Sequence, residues 1–105
     1  FYALWIVDGH YKAALRMEPY NNGLLLEALC TGIEDRRKGY GYMLVNEVLK
    51  RLSKSEYKVV YSHINKKNKP SIKLHKKCNF QICLDSARLI DGTVTQNSCT
   101  MCYYL

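Results

Sequence analysis

No run of apolar residues approaches the roughly 20 that a membrane-spanning helix needs, and no charged, apolar and small-residue leader opens the chain. The expectation is a soluble protein with no membrane partner. Internal repeats, low-complexity tracts and a linker long enough to separate domains are also missing, so residues 1–105 read as a single domain able to bury a modest core. An initiating Met and a leading polar segment are lacking too, which reads as a piece of a longer protein. Cysteine is present, but Cys30, Cys78, Cys83, Cys99 and Cys102 are odd in number and irregular in spacing. That pattern argues against a complete disulfide framework and for a reduced cytoplasm. Acidic residues are the scarcer charge, 9 against 16 Lys and Arg, for a net +7. Lys66, Lys67, Lys69, Lys73, Lys76 and Lys77 crowd one short stretch and would attract a polyanion, although a solvated helix face accounts for such lysines equally well. Residues 65–79 contain no Phe, Tyr or Trp to interleave with bases, so nucleic acid ranks last among the partners.

What is there is turn chemistry between strand-like runs. Residues 2–7 and 12–19 flank Asp8-Gly9, a hairpin dipeptide, and Tyr20-Asn21-Asn22-Gly23 turns the chain into the apolar run 24–31. Residues 1–31 therefore read as an antiparallel meander. Leu44, Val45, Val48, Leu49 and Leu52 recur at helical spacing over about 40–53, and Tyr57 to Ile64 form another strand. Strand, helix and strand imply a right-handed parallel crossover. Pro70 suits the first turn of a short helix reaching about Cys78, and residues 80–90 and 94–105 read as a closing hairpin around Asp91-Gly92. The fold class is α/β or α+β with a mixed sheet.

Chemistry concentrates where the third strand becomes a helix, at Arg36-Arg37-Lys38-Gly39-Tyr40-Gly41. Glycines let the backbone turn sharply and approach a ligand, and the first N–H groups of the helix are unpaired, so the junction can cradle an anion. A second segment lies downstream, Asn68-Lys69-Pro70-Ser71-Ile72-Lys73-Leu74-His75-Lys76-Lys77-Cys78-Asn79-Phe80. Together the two resemble the signatures of the Gcn5-related N-acetyltransferase (GNAT) superfamily, Arg-x-x-Gly-x-Gly and Asn-x-x-Ala/Ser-x-x-Leu-Tyr-x-Lys-x-Gly-Phe. Asn68, Ser71, Leu74, Lys77 and Phe80 match in register, whereas His75 replaces the usual Tyr and Asn79 the usual Gly.

The resemblance implies a mostly antiparallel mixed sheet with two helices, whose central parallel strands, 24–31 and 57–64, splay to receive the pantetheine arm of acetyl-CoA. It implies that one strand and two helices usual at the front of the fold are absent, leaving 2–7 as an edge inclined to self-association or to pairing with an upstream segment. It implies an acetyl-CoA-dependent N-acetyltransferase acting on an amine acceptor. The loop Arg36, Arg37, Lys38, Gly39, Tyr40, Gly41 and Tyr42 would hold the pyrophosphate, and the backbone of Leu29, Cys30 and Thr31 the pantetheine. Asn68 and Ser71 would border the same cofactor.

Protonation of the leaving thiolate falls by resemblance to His75. The stripe Ser71, Leu74, His75 and Cys78 would turn it toward the slot, and the alternative is a packing histidine that only hydrogen-bonds the cofactor or a carbonyl. Glu27 and His63 are the two candidates for the base, each also readable as an ordinary strand residue. Cys99-x-x-Cys102 invites a metal, but residues three apart in a strand point to opposite faces, so no metal is expected. A non-catalytic acyl-CoA-binding module remains the second functional reading.

Overall fold

The computed structural model describes residues 1–32, 35–36, 38–89 and 91–105. The meander forms as its turns dictate. β1 (Tyr2–Val7) and β2 (His10–Tyr20) are joined by Asp8 and Gly9 at φ 51° and 77°, the paired positive values that a type I′ hairpin turn requires. A second two-residue turn, with Asn21 at φ 50°, leads into β3 (Gly23–Thr31). Gly23 is needed for contact rather than conformation: a Cβ there would lie 1.9 Å from the carbonyl oxygen of Val59. Gly23→Ala is expected to destabilise the protein by about 3 kcal/mol, measurable by denaturant unfolding, because backbone rather than a flexible side chain must give way.

α1 (Tyr40–Leu52) crosses to β4 (Val59–Asn65), and α2 (Lys69–Lys77) then leads to β5 (Gln81–Leu84) and finally β8 (Ser98–Tyr104). The large sheet runs β1-β2-β3-β4-β8-β5, antiparallel throughout except for the β3–β4 pair. α1 buries Leu44, Val45, Val48, Leu49 and Leu52, and this stripe joins Ala13, Leu15 and Met17 of β2, Leu24 and Leu26 of β3, and Met101 of β8 in one core. Ile72 and Leu74 of α2 pack against the same cluster, so both helices sit on one face. The other face carries Arg16, Glu27 and His63. Among the described residues β1 is paired on one side only, and Tyr2, Leu4 and Ile6 along it are exposed.

The closing hairpin differs from expectation. Residues 80–90 do not form one strand: β5 stops at Leu84, and β6 (Ala87–Arg88) pairs with β7 (Val94–Thr95) as a separate ribbon. Two hydrogen bonds explain the departure. The Thr100 hydroxyl donates to the Ser86 carbonyl at 2.7 Å, and the Tyr20 hydroxyl donates to the Arg88 carbonyl at 3.0 Å. The chain is thereby lifted off the sheet edge and folded over the helix-free face. Cys99 and Cys102, on opposite faces of β8, are both buried.

Candidate active site

The site begins where the two parallel strands part. β3 and β4 are paired only through Leu24–Val60, Leu25–Tyr61 and Leu26–Ser62. Immediately beyond, Glu27 is the extra residue of a bulge in β3, since Leu26 faces Met17 and Ala28 faces Arg16. A bulge bends its strand. Past it, Leu29, Cys30 and Thr31 stay with β2, while β4 from His63 onward follows β8. An opening is left, with the 29–31 edge of β3 free of strand partners among the described residues.

On the helical face this opening widens into a cleft of about 1120 Å³. Its walls are the 29–31 edge, the start of α1 from Gly39 to Tyr42, and the face of α2 bearing Asn68, Ser71 and Leu74. Gly39 sits at the N-cap with φ 83°, a left-handed conformation that favours glycine, and no side chain caps the helix. No acidic residue stands in its first turn. The N–H groups of Tyr40, Gly41 and Tyr42 therefore have no partner within the helix and present its positive end to the cleft. Gly41 also lets the helices touch, because a Cβ there would meet Leu74 Cδ1 at 3.3 Å. Asn68 holds the facing helix start, its Oδ1 accepting from the Ser71 N–H at 3.3 Å.

Charge in the cleft is strongly one-sided. Among the described residues, Arg36, Lys69, Lys73 and Lys77 line it against one carboxylate, Asp35, which is paired with Lys12 at 3.1 Å. The three lysines recur every four residues, so they share one face of α2. Lys77 also lies over the Tyr42 ring, 4.5 Å from its centroid. Lys38 is exposed and not part of this lining, and Arg37 lies outside the described residues.

Glu27 and His63 flank the opening on the opposite face. They line a pocket of about 600 Å³ with Arg16, Leu25, Leu26, Leu89 and Asp91. Arg16 Nη2 pairs with Glu27 Oε2 at 2.9 Å. Burial pushes the His63 pKa down, its ring stands edge-on to Tyr20 with centroids 5.5 Å apart, and among the described residues its Nε2 has no hydrogen-bond partner.

His75 occupies a different environment from its expected one. The stripe of α2 divides: Ser71 and Leu74 line the cleft, whereas His75 and Cys78 do not and are 2% and 1% exposed. Nδ1 of His75 lies 2.7 Å from the Ser71 carbonyl, to which it donates as the Nδ1–H tautomer, and the ring packs edge-on against Phe80 at 5.0 Å. Burial lowers its pKa, the Ser71 bond opposing the shift only in part. A histidine kept neutral in the folded state but free to protonate when unfolded stabilises the protein above its unfolded pKa of 6.5. That stability is lost as the pH falls through the lower, folded value. His75→Phe is accordingly expected to flatten the decline of melting temperature below pH 6.5. Melts of wild type and variant across that range check it.

Sequence reading missed the bulge, the Lys12–Asp35 pair and the contribution of Leu89 and Asp91. An acidic residue inside an apolar strand was the one visible sign of the bulge, and the ribbon left none.

The FR47-like protein family profile matches residues 7–89. The chain belongs to this family. Its sheet, with two helices on one face and a parted parallel pair, has a GNAT-like fold. Among solved structures it is similar to the ribosomal-protein-S18-alanine N-acetyltransferase from Escherichia coli, with 15% identity and a TM-score of 0.80 over 99% of this chain and 68% of that one. The PaiA N-acetyltransferase from Thermoplasma acidophilum, solved in complex with coenzyme A, is 14% identical with a TM-score of 0.79, over 99% and 60%. An acetyltransferase of the GNAT family from Streptococcus pneumoniae is 14% identical with a TM-score of 0.74, over 99% and 66%. The FR47-like chain thus spans roughly two thirds of these proteins, and at such identities the likeness is one of fold. Comparison with curated proteins gives no sequence match. Among the described residues, no helix is long and apolar enough to cross a membrane.

Proposed function

We propose that the protein is an acetyl-CoA-dependent N-acetyltransferase that moves the acetyl group directly to a primary amine. One observation carries the reading: parted strands join an uncapped, acid-free helix start to an unpaired strand edge, in a cleft lined by four cationic side chains. Coenzyme A fits that arrangement because it carries a pyrophosphate, a further phosphate and an arm of two amides. The N–H groups of Tyr40, Gly41 and Tyr42 receive the pyrophosphate, while Arg36, Lys69, Lys73 and Lys77 balance the remaining phosphate charge. Leu29, Cys30 and Thr31 accept the arm as an added strand. Bound there, acetyl-CoA supplies the acyl carbon as a thioester.

Transfer forms a C–N bond and breaks the C–S bond; starting from an ammonium, two protons leave the nitrogen, one taken by a base before attack and the other passing through water to the departing sulfur. Glu27 takes the first. Its Oε2 is held by Arg16, which leaves Oε1 for the ammonium or an intervening water, and neutral His63 across the opening is a second acceptor. His75 we assign to packing, because its Nδ1 is engaged by the Ser71 carbonyl and its ring by Phe80. The same placement favours the second reading, an acyl-CoA-binding module without transfer, since the position of the family's proton-donating tyrosine is turned into the core. Release of free thiol from acetyl-CoA on addition of an amine separates the two readings: transfer gives release, whereas a binding module gives saturable binding alone. The five free cysteines are the ground for assigning the reaction to a reduced cytoplasm.

A further inference from the structure

A carboxylate stands in the cleft where phosphate is to be held. Among the described residues Asp35, in the segment between β3 and α1, is the acidic side chain of the lining. A bare negative charge there would repel a ligand that carries several of its own. Its position is closely fixed. The Asp35 N–H donates to the Gly32 carbonyl at 2.9 Å, and Oδ2 approaches Gly32 so nearly that a Cβ on that residue would lie 3.0 Å from it. The Asp35 side chain is 13% exposed, so it is largely out of water and depends on the protein for a counter-charge. Lys12 supplies one: from β2, outside the cleft lining, its Nζ donates to Asp35 Oδ1 at 3.1 Å. Removing one member of a pair so placed leaves the other uncompensated.

We propose that Lys12 is a positioning residue for the cofactor: it holds and cancels the Asp35 carboxylate, so that the cleft meets the phosphates of coenzyme A with its cations alone. The inference rests on the acetyltransferase reading, which puts coenzyme A in this cleft. Lys12 does not line the cleft and acts through Asp35. The carboxylate in turn tethers the segment before α1 to β2, and an Asn in its place keeps that tether, because an amide oxygen still accepts from the Lys12 ammonium. Charge and geometry are thereby separable. Substituting Lys12 alone leaves a negative charge beside the phosphates, substituting Asp35 alone leaves a positive one, and substituting both leaves none.

Coenzyme A is titrated by calorimetry into wild type and four variants at about 0.05 M and about 1 M salt, with a thermal melt of each protein. Lys12→Met is expected to weaken coenzyme A about tenfold at low salt, and the loss should shrink to within about twofold at high salt, where the Debye length is roughly 3 Å. Lys12→Arg should bind as wild type does. Asp35→Asn should bind about threefold more tightly at low salt, and Lys12→Met/Asp35→Asn should return to within about twofold of wild type. A merely structural role gives a different pattern, with a loss that salt does not relieve and the second substitution does not rescue. An affinity untouched by Lys12→Met at low salt, a tenfold loss that persists at high salt, or weaker binding by Asp35→Asn overturns the proposal. Should Lys12→Met melt below the temperature of titration, Asp35→Asn and the double variant decide the matter, since a loss of about fivefold or more in either contradicts charge cancellation. Wild-type protein that binds no coenzyme A at low salt overturns the acetyltransferase reading itself, whereas wild-type binding with any of the other failures overturns the role of Lys12 alone.

Discussion

Gly41→Asp is expected to abolish acetyl-CoA binding, with an affinity loss of about 100-fold or more. The substitution places a carboxylate at the first turn of α1, where uncapped N–H groups and an absence of acidic residues make the backbone attractive to phosphate. It also adds bulk where the helices nearly touch, so Gly41→Ala is the necessary companion. An alanine Cβ would meet the end of the Leu74 side chain at 3.3 Å and Thr31 Cγ2 at an ordinary 3.9 Å, and a leucine methyl can move by a few tenths of an ångström. The alanine variant should therefore retain most of its affinity. Calorimetry on both variants separates charge from packing: equal losses would assign Gly41 to packing, and an unchanged Asp variant would remove the cradle from the account.

Glu27→Gln should lower turnover by about 100-fold or more while leaving acetyl-CoA affinity nearly unchanged. Glutamine keeps the size of the side chain and can still face Arg16, but it cannot accept the amine proton. Bulge geometry makes the prediction specific to this residue. Glu27 is the extra residue at the point where β3 leaves β4, so its side chain is set at the mouth of the opening rather than along a regular strand face. Initial rates with a saturating amine, alongside cofactor titration, provide the measurement. A variant that turns over at the wild-type rate would shift the proton-accepting role to His63 or to water.

The sheet was legible to the extent that it is written in local chemistry. Asp8-Gly9 specifies its hairpin because few other pairs accept two positive φ values, and the spacing of Leu44, Val45, Val48, Leu49 and Leu52 specifies the buried side of α1. The open start of α1 was legible for the same reason, since Gly39 takes a positive φ and Gly41 allows the close approach of Leu74. Less local features were hidden. The bulge at Glu27 depends on how β3 registers against β2, and the lifted β6–β7 ribbon depends on hydrogen bonds from Tyr20 and Thr100, distant in sequence. His75 shows the limit of periodicity. The spacing predicts one stripe facing the slot, but α2 lies on the seam between cleft and core, so Ser71 and Leu74 line the cleft while His75 and Cys78 are buried away from it.

Backbone amide NMR during a titration with acetyl-CoA asks directly whether the cleft opened by the parting of β3 and β4 receives the cofactor. Saturable shifts are expected, concentrated at Leu29–Thr31 and Gly39–Tyr42, with an affinity that weakens as salt is raised because phosphate meets lysine and arginine there. Binding that leaves those amides unmoved, or no binding at low salt, would contradict cofactor binding in the cleft.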